Sequence, residues 1–523
     1  MTRAGSGEDG PRGQVILVGA GPGDPELITV RGLRALASAD AVVYDALAAP
    51  ELLELAPPRA LRINVGRRGH EEPTRTLGEI CELLIRLARE GKSVVRLKGG
   101  DPYVFGRGGE EGSACAEAGV HFEVVPGVSS LVGALAYAGI PLTDRRHSAS
   151  FAVVTGHKDP SKVASETRWD QLATATDTLV VLMGMSNLEQ IVERLLAGGR
   201  SPATPAAVVM NGTLPSQRVV EAPLGELARR AREENVGAPS VVVVGEVVGL
   251  REALAWYERR PLFGVRVLVT RAREQAWEMI ELLRAQGAEA VVVPMIQTVP
   301  PRDWVEVDRA LTQLDRYDAL VFTSANAVRY FADRALDRGL NAAQVTPRVF
   351  CVGPQTAEAV VAAGFPAPSM PAVRRDADAL LAEIEACFAP AGRRFLLPCA
   401  AGARDVLPEG LRLAGAEVDA VPVYRTAPAA VDQEALLAQL TSGALDVLTF
   451  TSPSTVKHFC ALLDDPAREA AGRCLVAAIG PVTAEALGRE GLTPQVAPER
   501  AGGAELVLAV AEEMAQRRPR GSR

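Results

Sequence analysis

The fold of the first half of this chain follows from two glycine-rich stretches, VGAGPGD (Val18 to Asp24) and RLKGGDPYVFGRGGEE (Arg96 to Glu111). Each is joined to an apolar run typical of a buried strand, VILV before the first and VVRL at the start of the second. Open α/β sheets bind ligands where their strands end, and glycine lets backbone approach a ligand closely there. The stretches therefore predict a ligand site in which Asp24 and Asp101 could accept hydrogen bonds.

The first stretch fits a dinucleotide-binding fingerprint poorly. Its glycines are Gly19, Gly21 and Gly23, and Asp24 stands where the third fingerprint glycine belongs. Pro22 also stiffens a loop that would have to wrap a pyrophosphate. We therefore do not expect a nicotinamide or flavin site here. Tight turns without any ligand are the alternative for either stretch taken alone.

Further motifs accompany these stretches in a fixed order: VVPGVSS (124–130), GIPLT (139–143), VVTGHK (153–158), LMGM (182–185) and VMNGT (209–213). With them, the region from about residue 14 to 258 resembles uroporphyrinogen-III C-methyltransferase, a member of the tetrapyrrole methylase family. The resemblance implies a two-lobed α/β domain that makes precorrin-2. Because relatives that methylate later corrinoids share GGDP and the first loop, a later corrinoid intermediate is the alternative substrate.

The resemblance implies S-adenosylmethionine as methyl donor, released as S-adenosylhomocysteine, and no metal. The residues that would contact it are Pro22, Gly99, Gly100, Asp101, Val104, Ser129, Ser130, Met183 and Gly212. Asp45, in VVYDAL just after a predicted strand, matches the proton acceptor of the family. A turn or helix cap is the alternative role for this aspartate.

The sequence departs from the family where a lysine proton donor is expected, because VGRRGHEE has Arg67 there. Arginine stays charged and is a poor proton donor, so we expect Arg67 to bind a substrate carboxylate. Arginines also predict a cationic lining for a polycarboxylate, with solvated surface positions as the alternative. They are Arg67, Arg68, Arg107, Arg145 and Arg146. His70, His147 and His157 have no assigned role.

Composition limits the class of protein. The 523 residues carry a net charge of −8, which makes nucleic acid an unexpected partner. The seven cysteines are scattered without a CxxC pair, and no secretory leader is recognisable, so we expect a reducing cytoplasm and no structural zinc or iron–sulfur site. No apolar run approaches the ~20 residues of a membrane span, so no membrane association is expected.

The second half contains a tandem duplication. GVRVLVTRAREQ from Gly264 is echoed by GRRFLLPCAAGA from Gly392, an offset of 392 − 264 = 128. Phe322-Thr323-Ser324 returns as Phe450-Thr451-Ser452, again 128 residues later, and VGPQTAEAV (352–360) returns as IGPVTAEAL (479–487) after 127. A constant offset through separate blocks predicts two similar α/β lobes.

The motifs FTSANAV, VGPQTAEAV, VPVYRT and IGPVTAEAL resemble uroporphyrinogen-III synthase over roughly residues 262 to 510. The resemblance implies a chain that leaves its first lobe, builds the second and returns. We therefore predict a methylase domain at 14–258 and a synthase domain at 262–515. Its lobe one would comprise about 264–297 plus 427–515, and its lobe two about 299–424.

The synthase reaction closes linear hydroxymethylbilane with loss of water and inversion of its last ring. It needs no nucleophile or metal, but it needs groups that position a flexible polycarboxylate and assist departure of the hydroxyl. Tyr424 in VPVYRT matches the hinge tyrosine of the family and is our candidate for that assistance, with packing against the hinge as its alternative. Candidate carboxylate-binding hydroxyls are Ser324, Thr356, Ser452 and Thr483, for which helix capping is the alternative.

The two resemblances together predict a bifunctional enzyme, a methyltransferase and a lyase of porphyrin, siroheme or cobalamin biosynthesis. One domain would make uroporphyrinogen III and the other would methylate it twice to precorrin-2. A second half that binds tetrapyrrole without catalysis is an alternative. A siroheme synthase that also oxidises precorrin-2 is not expected, since about thirteen residues precede the methylase. A homodimer through residues 14–258 is expected by resemblance, with small-molecule tetrapyrroles as the other partners.

Overall fold

The computed structural model describes residues 13–46, 48–66, 75–156, 167–342, 347–372, 376–402 and 406–517. Two compact units divide the chain. The first contains the described residues of Met1–Val265, Leu283–Glu289 and Met514–Arg523, and the second contains those of Arg266–Leu282 and Ala290–Glu513. Each unit carries two β-sheets of its own.

The first sheet of the first unit is parallel, with strand order β3-β2-β4-β1-β5. Its strands are β1 (Gln14–Gly19), β2 (Ala41–Tyr44), β3 (Leu61–Asn64), β4 (Ser93–Lys98) and β5 (His121–Val125). The helices that accompany it are α1 (Val30–Ala37), α2 (Pro50–Glu54), α3 (Leu77–Arg89), α4 (Gly108–Glu117) and α5 (Ser130–Tyr137), with a 3-10 turn at Pro25–Leu27.

Helices cover the two faces of this sheet. Leu36 of α1 and Leu52 of α2 pack in one apolar cluster, whereas Leu84 of α3 and Cys115 of α4 pack in another. The chain therefore leaves the adjacent strands β1 and β4 toward opposite faces. Such a switch point opens a crevice at the carboxyl ends of the strands, which is where ligands bind in open α/β sheets.

The second sheet of the first unit is mixed, with strand order β6-β7-β10-β8-β9. Its strands are β6 (Phe151–Thr155), β7 (Thr178–Leu182), β8 (Pro205–Met210), β9 (Arg218–Pro223) and β10 (Ser240–Val244). Helices α6 (Trp169–Ala175), α7 (Leu188–Ala197), α8 (Leu224–Glu233) and α9 (Arg251–Leu254) accompany it, with 3-10 turns at Met185–Asn187 and Glu246–Leu250. Only β6 and β7 pair in parallel, while β7–β10, β10–β8 and β8–β9 are antiparallel.

From Arg266 onward the strands are β11 (Arg266–Val269), β12 (Glu289–Val292), β13 (Ile296–Val299), β14 (Ala319–Phe322), β15 (Arg348–Cys351), β16 (Arg394–Ala400), β17 (Glu417–Pro428), β18 (Val447–Phe450) and β19 (Leu475–Ala478). The helices are α10 (Arg273–Ala285), α11 (Val305–Thr312), α12 (Ala325–Asp337), α13 (Pro354–Ala362), α14 (Ala377–Phe388), α15 (Val406–Leu413), α16 (Gln433–Thr441), α17 (Pro453–Cys460), α18 (Asp465–Arg473), α19 (Pro481–Arg489) and α20 (Gly503–Arg517), with a 3-10 turn at Leu314–Arg316.

These strands form one sheet of order β12-β11-β18-β19 and another of order β13-β17-β16-β14-β15. β11 pairs with β18, which lies about 180 residues later in the chain, so the first sheet is assembled from both ends of the second half. The connecting strands β13 and β17 pair with each other in antiparallel fashion. The predicted α/β class is confirmed in both halves of the chain.

The sequence repeat corresponds to a structural repeat. β14 leads into α12 through Ser324, and β18 leads into α17 through Ser452; each serine Oγ accepts a hydrogen bond from the backbone N–H three residues on. Side-chain oxygens at this position satisfy a donor that the helix itself leaves unpaired. Helix capping, the alternative to carboxylate binding for these two serines, is therefore present in the structure.

Candidate active sites

The carboxyl ends of β1 and β4 meet at their glycine loops. Gly21 and Gly100 form an isolated antiparallel bridge, with the Gly100 N–H donating to the Gly21 carbonyl at 2.7 Å. Gly100 adopts φ +68°, which glycine reaches without the steric cost that other residues incur. An added Cβ on Gly127, which follows β5, would lie 2.3 Å from the Gly100 carbonyl oxygen. Three loops thus approach one another at backbone distance.

Asp101 fixes this arrangement through its carboxylate. Oδ1 accepts from the Tyr103 N–H at 2.8 Å, and Oδ2 accepts from the Gly127 N–H at 3.0 Å. The side chain thereby ties the loop after β4 to the loop after β5. Asp101 therefore has a structural role in holding the strand-end loops, whatever else it binds.

Helix α5 brings distant segments of the first unit together. An added Cβ on Gly133 would lie 2.7 Å from Pro22 Cγ in the first glycine loop. On the next residue, Ala134 Cβ would be 2.3 Å from a Cβ added to Gly212, which follows β8 of the second sheet. Small residues on α5 therefore let loops from both sheets pack against it.

The remaining predicted cofactor residues border the same helix. The nearest heavy atom to a Cβ added on Gly100 would be Ser129 Cα, at 3.8 Å, and Ser130 begins α5. Val104 packs against the cluster that contains Ala134 of α5, and Leu182 of that cluster immediately precedes Met183. The structure therefore places around α5 the segments that carry the predicted residues. We call these residues the candidate cofactor surface: Pro22, Gly99, Gly100, Asp101, Val104, Ser129, Ser130, Met183 and Gly212.

None of these nine residues is buried, and Met183 has 49% of its surface exposed. Backbone with positive φ is concentrated in the loops that carry or adjoin them. Non-glycine residues with positive φ there are Phe105, Arg107, Met183, Asn211 and Thr213. Such conformations cost free energy and cluster at ligand sites, where surrounding structure maintains them. The surface has the accessibility and the fixed backbone that a ligand site requires, and the individual roles stay predictions.

Asp45 lies at the end of β2 beside a buried chain of charges. Arg96 of β4 is 2% exposed and donates from Nη2 to Asp45 Oδ1 at 2.6 Å and from Nε to Glu111 Oε1 at 3.0 Å. Lys98, two residues along the strand, places Nζ 2.9 Å from Glu111 Oε2. We call Asp45, Arg96, Glu111 and Lys98 the charge chain. Its two acids and two bases compensate one another inside the unit.

The pKa values of the two cationic side chains of the charge chain shift in opposite directions. Burial alone lowers the pKa of Arg96, but the neighbouring carboxylates of Asp45 and Glu111 raise that pKa above its ordinary value. Burial lowers the pKa of Lys98, and the adjacent guanidinium of Arg96 lowers it further. Arg96 is therefore the permanently charged partner of Asp45.

Arg67 and Arg68 lie outside the described residues, as do His70 and His157. Arg107 stands at the start of α4 with φ +58° and donates from Nε to Glu110 Oε2 at 3.1 Å. Arg145 and Arg146 are exposed, and Arg146 pairs with Asp144 at 3.3 Å. The described members of the predicted cationic lining are therefore accessible to an anionic ligand.

In the second unit Tyr424 lies on the connecting strand β17 and contacts the start of α12. Its hydroxyl is 3.3 Å from Ser324 Oγ. Its ring stacks on Tyr330, with centroids 5.6 Å apart and planes inclined by 15°. The Tyr330 hydroxyl donates to the Thr298 carbonyl of the other connecting strand at 2.8 Å. Tyr424 is therefore held by α12, and Tyr330 links it to the other connecting strand, β13.

The other predicted hydroxyls occupy helix starts in the second unit. Ser452 Oγ lies 2.9 Å from Ser454 Oγ while it caps α17. Thr356 and Thr483 are 5% and 3% exposed, in the first turns of α13 and α19. Those two helices begin at glycine without a side-chain cap, so the backbone N–H groups of their first turns, and not the buried threonine hydroxyls, are our candidate donors for a carboxylate.

The sequence analysis assigned no role to Arg96, Lys98 or Glu111, which lie in the second glycine-rich stretch, or to Tyr330, which lies in none of the quoted motifs. A signal was present for the first two, because an arginine and a lysine at alternate positions of the apolar strand SVVRLK must share one face of the sheet. The stacking of Tyr330 on Tyr424 joins residues far apart in the chain, and no local pattern indicates it. Among the described residues, no group of three or more histidine, cysteine, aspartate or glutamate side chains could hold a metal ion.

Two family descriptions match the chain, one in each half. Residues 14–228 match Tetrapyrrole (Corrin/Porphyrin) Methylases, and residues 278–507 match Uroporphyrinogen-III synthase HemD. A protein named "Porphyrin biosynthesis protein HemD" from Ruminiclostridium josui is 38% identical over 476 residues, which cover 91% of this chain and 93% of that protein. The chain belongs to the family in which a tetrapyrrole methylase is fused to a uroporphyrinogen-III synthase. The predicted fusion is confirmed.

Some relatives are similar only to the methylase half of this methylase–synthase fusion. A siroheme synthase of Azotobacter vinelandii (strain DJ / ATCC BAA-1303) is 51% identical over 249 residues, 47% of this chain and 53% of that protein. A Thermus thermophilus uroporphyrin-III C-methyl transferase, solved with S-adenyl homocysteine, is 42% identical and covers 45% of this chain and 93% of that one, with a TM-score of 0.39. The fusion is a bifunctional enzyme of tetrapyrrole biosynthesis. In its described part, no helix combines the length and apolarity needed to cross a bilayer.

Proposed function

We propose that this enzyme closes hydroxymethylbilane to uroporphyrinogen III and methylates that product twice to give precorrin-2. The observation that carries the proposal is the presence, in one chain, of a tetrapyrrole methylase and of the synthase whose name identifies uroporphyrinogen III as its product. A product made by one half is thus a tetrapyrrole of the class on which the other half acts. The siroheme synthase among its relatives favours the siroheme branch as the destination.

The first unit fits S-adenosylmethionine at the candidate cofactor surface. The glycine loops after β1, β4 and β5 leave no space for a Cβ at Gly19 or Gly127, so backbone groups line the crevice at the switch point. Gly99, Gly100 and Ser130 would supply backbone and hydroxyl contacts, and Met183 an exposed thioether-bearing side chain. S-adenosylmethionine, when bound, supplies an electrophilic methyl group to a pyrrole carbon of the substrate.

Methylation leaves a proton that must depart from the substrate, and Asp45 is the proposed acceptor. Its carboxylate is partly exposed at 28%, so it can face a ligand while Oδ1 remains bonded to buried Arg96. The guanidinium holds the carboxylate in one orientation, which is the condition for efficient proton transfer. Exposed arginines, among them Arg107 and Arg146, would bind the substrate carboxylates.

The second unit would perform cyclisation through positioning and one hydrogen-bond donor. Loss of the substrate hydroxyl as water needs a proton at that oxygen, and the hydroxyl of Tyr424 is the proposed donor. Ser324 lies next to that hydroxyl and orients it. Backbone N–H groups at the uncapped starts of α13 and α19 would bind carboxylates of the bilane.

The test is anaerobic incubation of the full chain with hydroxymethylbilane and S-adenosylmethionine, followed by absorbance and mass measurements. We expect precorrin-2, with two methyl groups more than uroporphyrinogen III. Accumulation of unmethylated uroporphyrinogen III with intact S-adenosylmethionine would contradict the methylase assignment. If uroporphyrinogen III accepts no methyl group but precorrin-2 added to a parallel incubation does, the first unit is instead a later corrinoid methylase. Unchanged hydroxymethylbilane would leave the second unit a binding module.

Two further expectations belong to this proposal. Arg67 is expected to bind a substrate carboxylate, so Arg67→Lys should raise the KM for uroporphyrinogen III with little change in kcat. A homodimer through residues 14–258 is expected, and light scattering of the full chain measures it.

A further inference from the structure

The segment that follows α9 packs against α5. We call residues Ala255 to Phe263 the connector. Tyr257 is 3% exposed, and its ring centroid lies 4.8 Å from that of Tyr137 at the end of α5. Trp256 approaches the same tyrosine at 4.9 Å and donates from Nε1 to the Ala136 carbonyl at 3.0 Å. The connector is therefore an integral part of the first unit.

The two tyrosine rings, inclined by 58°, carry hydroxyls that donate to two loops of the candidate cofactor surface. The Tyr137 hydroxyl donates to Asp24 Oδ2 at 2.8 Å, in the loop that contains Pro22. The Tyr257 hydroxyl donates to the Thr213 carbonyl at 3.2 Å, next to Gly212. The Asp24 N–H in turn donates to Thr213 Oγ1 at 2.9 Å. Three hydrogen bonds thus join the connector, α5 and both loops.

Glu258 of the connector is linked to the Thr213 loop through the side chain of Gln217. Gln217 is 3% exposed, and its Oε1 accepts from the Thr213 N–H at 3.0 Å. Its Nε2 donates to Glu258 Oε1 at 2.8 Å. Glu258 Oε2 accepts from Arg251 Nη2 at 2.6 Å. Both backbone polar groups of Thr213 are therefore bonded to the connector, one directly and one through Gln217.

The backbone conformation of Thr213 is one that needs supporting hydrogen bonds. Thr213 is 1% exposed and has φ +74°, although a β-branched residue rarely adopts the left-handed region. An added Cβ on Gly23, with φ +157°, would lie 2.9 Å from Thr213 Oγ1. A strained loop persists only where surrounding groups hold it in place. Burial raises the pKa of Tyr137 and of Tyr257, so both hydroxyls remain protonated donors at all physiological pH values.

We propose that Tyr137 and Tyr257 are positioning residues for S-adenosylmethionine: they fix the Gly21–Asp24 and Asn211–Thr213 loops, and the connector thereby sets the cofactor affinity of the first unit. The inference rests on the proposed function of the candidate cofactor surface. Neither tyrosine hydroxyl needs to touch the cofactor, because each is bonded to a loop residue beside it. The connector is thus part of the methylase site and not only a link to the next domain.

The test measures S-adenosylmethionine binding to the full chain by calorimetry for wild type, Tyr137→Phe, Tyr257→Phe and the double variant. Each phenylalanine keeps its ring packing and removes one hydrogen bond. We expect each to raise the dissociation constant about two- to tenfold, the effect of losing one supporting bond, with kcat at saturating S-adenosylmethionine within about twofold. The double variant should lose affinity further, because both bonds act on the same pair of loops.

Tyr317→Phe is the matched control, since Tyr317 in the second unit also donates to an aspartate, Asp419 Oδ2, at 2.6 Å. It should leave the S-adenosylmethionine affinity unchanged, and cyclisation by the tyrosine variants should equal that of wild type. Wild-type affinity in both single variants, or a loss of kcat without loss of affinity, overturns the inference. Absence of binding by the wild type would instead contradict the proposed function itself.

Discussion

Arg96 and Asp45 are joined by a hydrogen bond of 2.6 Å that links β4 to the end of β2, with the guanidinium 2% exposed and the carboxylate 28% exposed. The bond therefore connects the interior of the first unit with a partly exposed carboxylate at the carboxyl end of β2. Glu111 accepts from the same guanidinium and lies beside Lys98, so one buried glutamate compensates two buried cations. Removing one member of such a group leaves a buried charge without a partner.

Glu111→Gln should destabilise the first unit by about 3–5 kcal/mol, because Arg96 and Lys98 would lose their shared carboxylate. Hydrogen exchange of peptides from β2 and β4 measures this without averaging over the second unit. Glu117→Gln, at an exposed position of the same helix, is the control and should change little. Equal exchange in the two variants would contradict a structural role for the charge chain.

Asp45→Asn should lower the rate of methyl transfer by about 10²- to 10⁴-fold, the usual contribution of a general base. The variant keeps the shape of the side chain and leaves the candidate cofactor surface intact. S-adenosylmethionine affinity and cyclisation should therefore remain as in the wild type. Single-turnover transfer from labelled S-adenosylmethionine to uroporphyrinogen III provides the rate. A decrease of less than about threefold would leave Asp45 only its role as the partner of Arg96.

Gly127→Ala should abolish methyl transfer, since its Cβ would lie 2.3 Å from the Gly100 carbonyl oxygen and 2.7 Å from Gly19 Cα. Both neighbours are backbone, so the loops after β1 and β4 must separate. Gly78→Ala is a suitable control: its Cβ meets no atom within 4 Å, and alanine stabilises a helix by roughly 1 kcal/mol. The measurement is the affinity of both variants for S-adenosylmethionine by calorimetry. Binding by Gly127→Ala as tight as that of Gly78→Ala would refute the expectation.

Tyr424→Phe should slow cyclisation by about 10- to 100-fold if its hydroxyl assists departure of the leaving group. Tyr330→Phe keeps the stacked ring and removes only the bonds of its hydroxyl to Thr298, so a much smaller loss is expected. The ratio of the two ring-closure products, with and without inversion, is measured alongside the rate. If both variants cyclise at the wild-type rate, Tyr424 serves the hinge by packing alone.

The Asp308 carboxylate should stabilise the second unit at neutral pH, and this contribution should be lost in acid. Two hydrogen bonds from Arg334, at 2.8 and 2.6 Å, lower the pKa of its carboxyl below the ordinary 3.8. A lowered folded-state pKa contributes stability above the unfolded value, and that stability is lost as the pH falls through the folded value. Asp308→Asn should therefore cost about 1 kcal/mol at pH 7 and less near pH 3.5.

Hydrogen exchange of α11 at the two pH values measures the Asp308 effect. Asp315→Asn, in the exposed 3-10 turn that follows α11, is the control. Its cost should be close to zero at both pH values, as for most exposed substitutions. A pH-independent loss in Asp308→Asn would show that the side chain contributes by packing and not by its charge.

Much of the fold could be predicted because its signals are local. Apolar runs followed by glycine placed the ends of β1 and β4, and the 128-residue repeat indicated related lobes in the second half. The candidate site was predicted as a set of residues by resemblance. Its assembly around α5 was not, since the contact of Ala134 with Gly212 depends on packing between two sheets.

The sequence by itself determined the α/β class and the fusion of two enzymes, and it supplied the candidate glycine, aspartate and tyrosine positions, because periodicity and motif order are properties of neighbouring residues. Only the tertiary structure decided which charges share the interior with Asp45, which ring stacks on Tyr424, and that Tyr137 and Tyr257 support the loops of the candidate cofactor surface. These contacts join residues far apart in the chain, and burial gives them their strength, since an unpaired polar group is costly only where water is excluded.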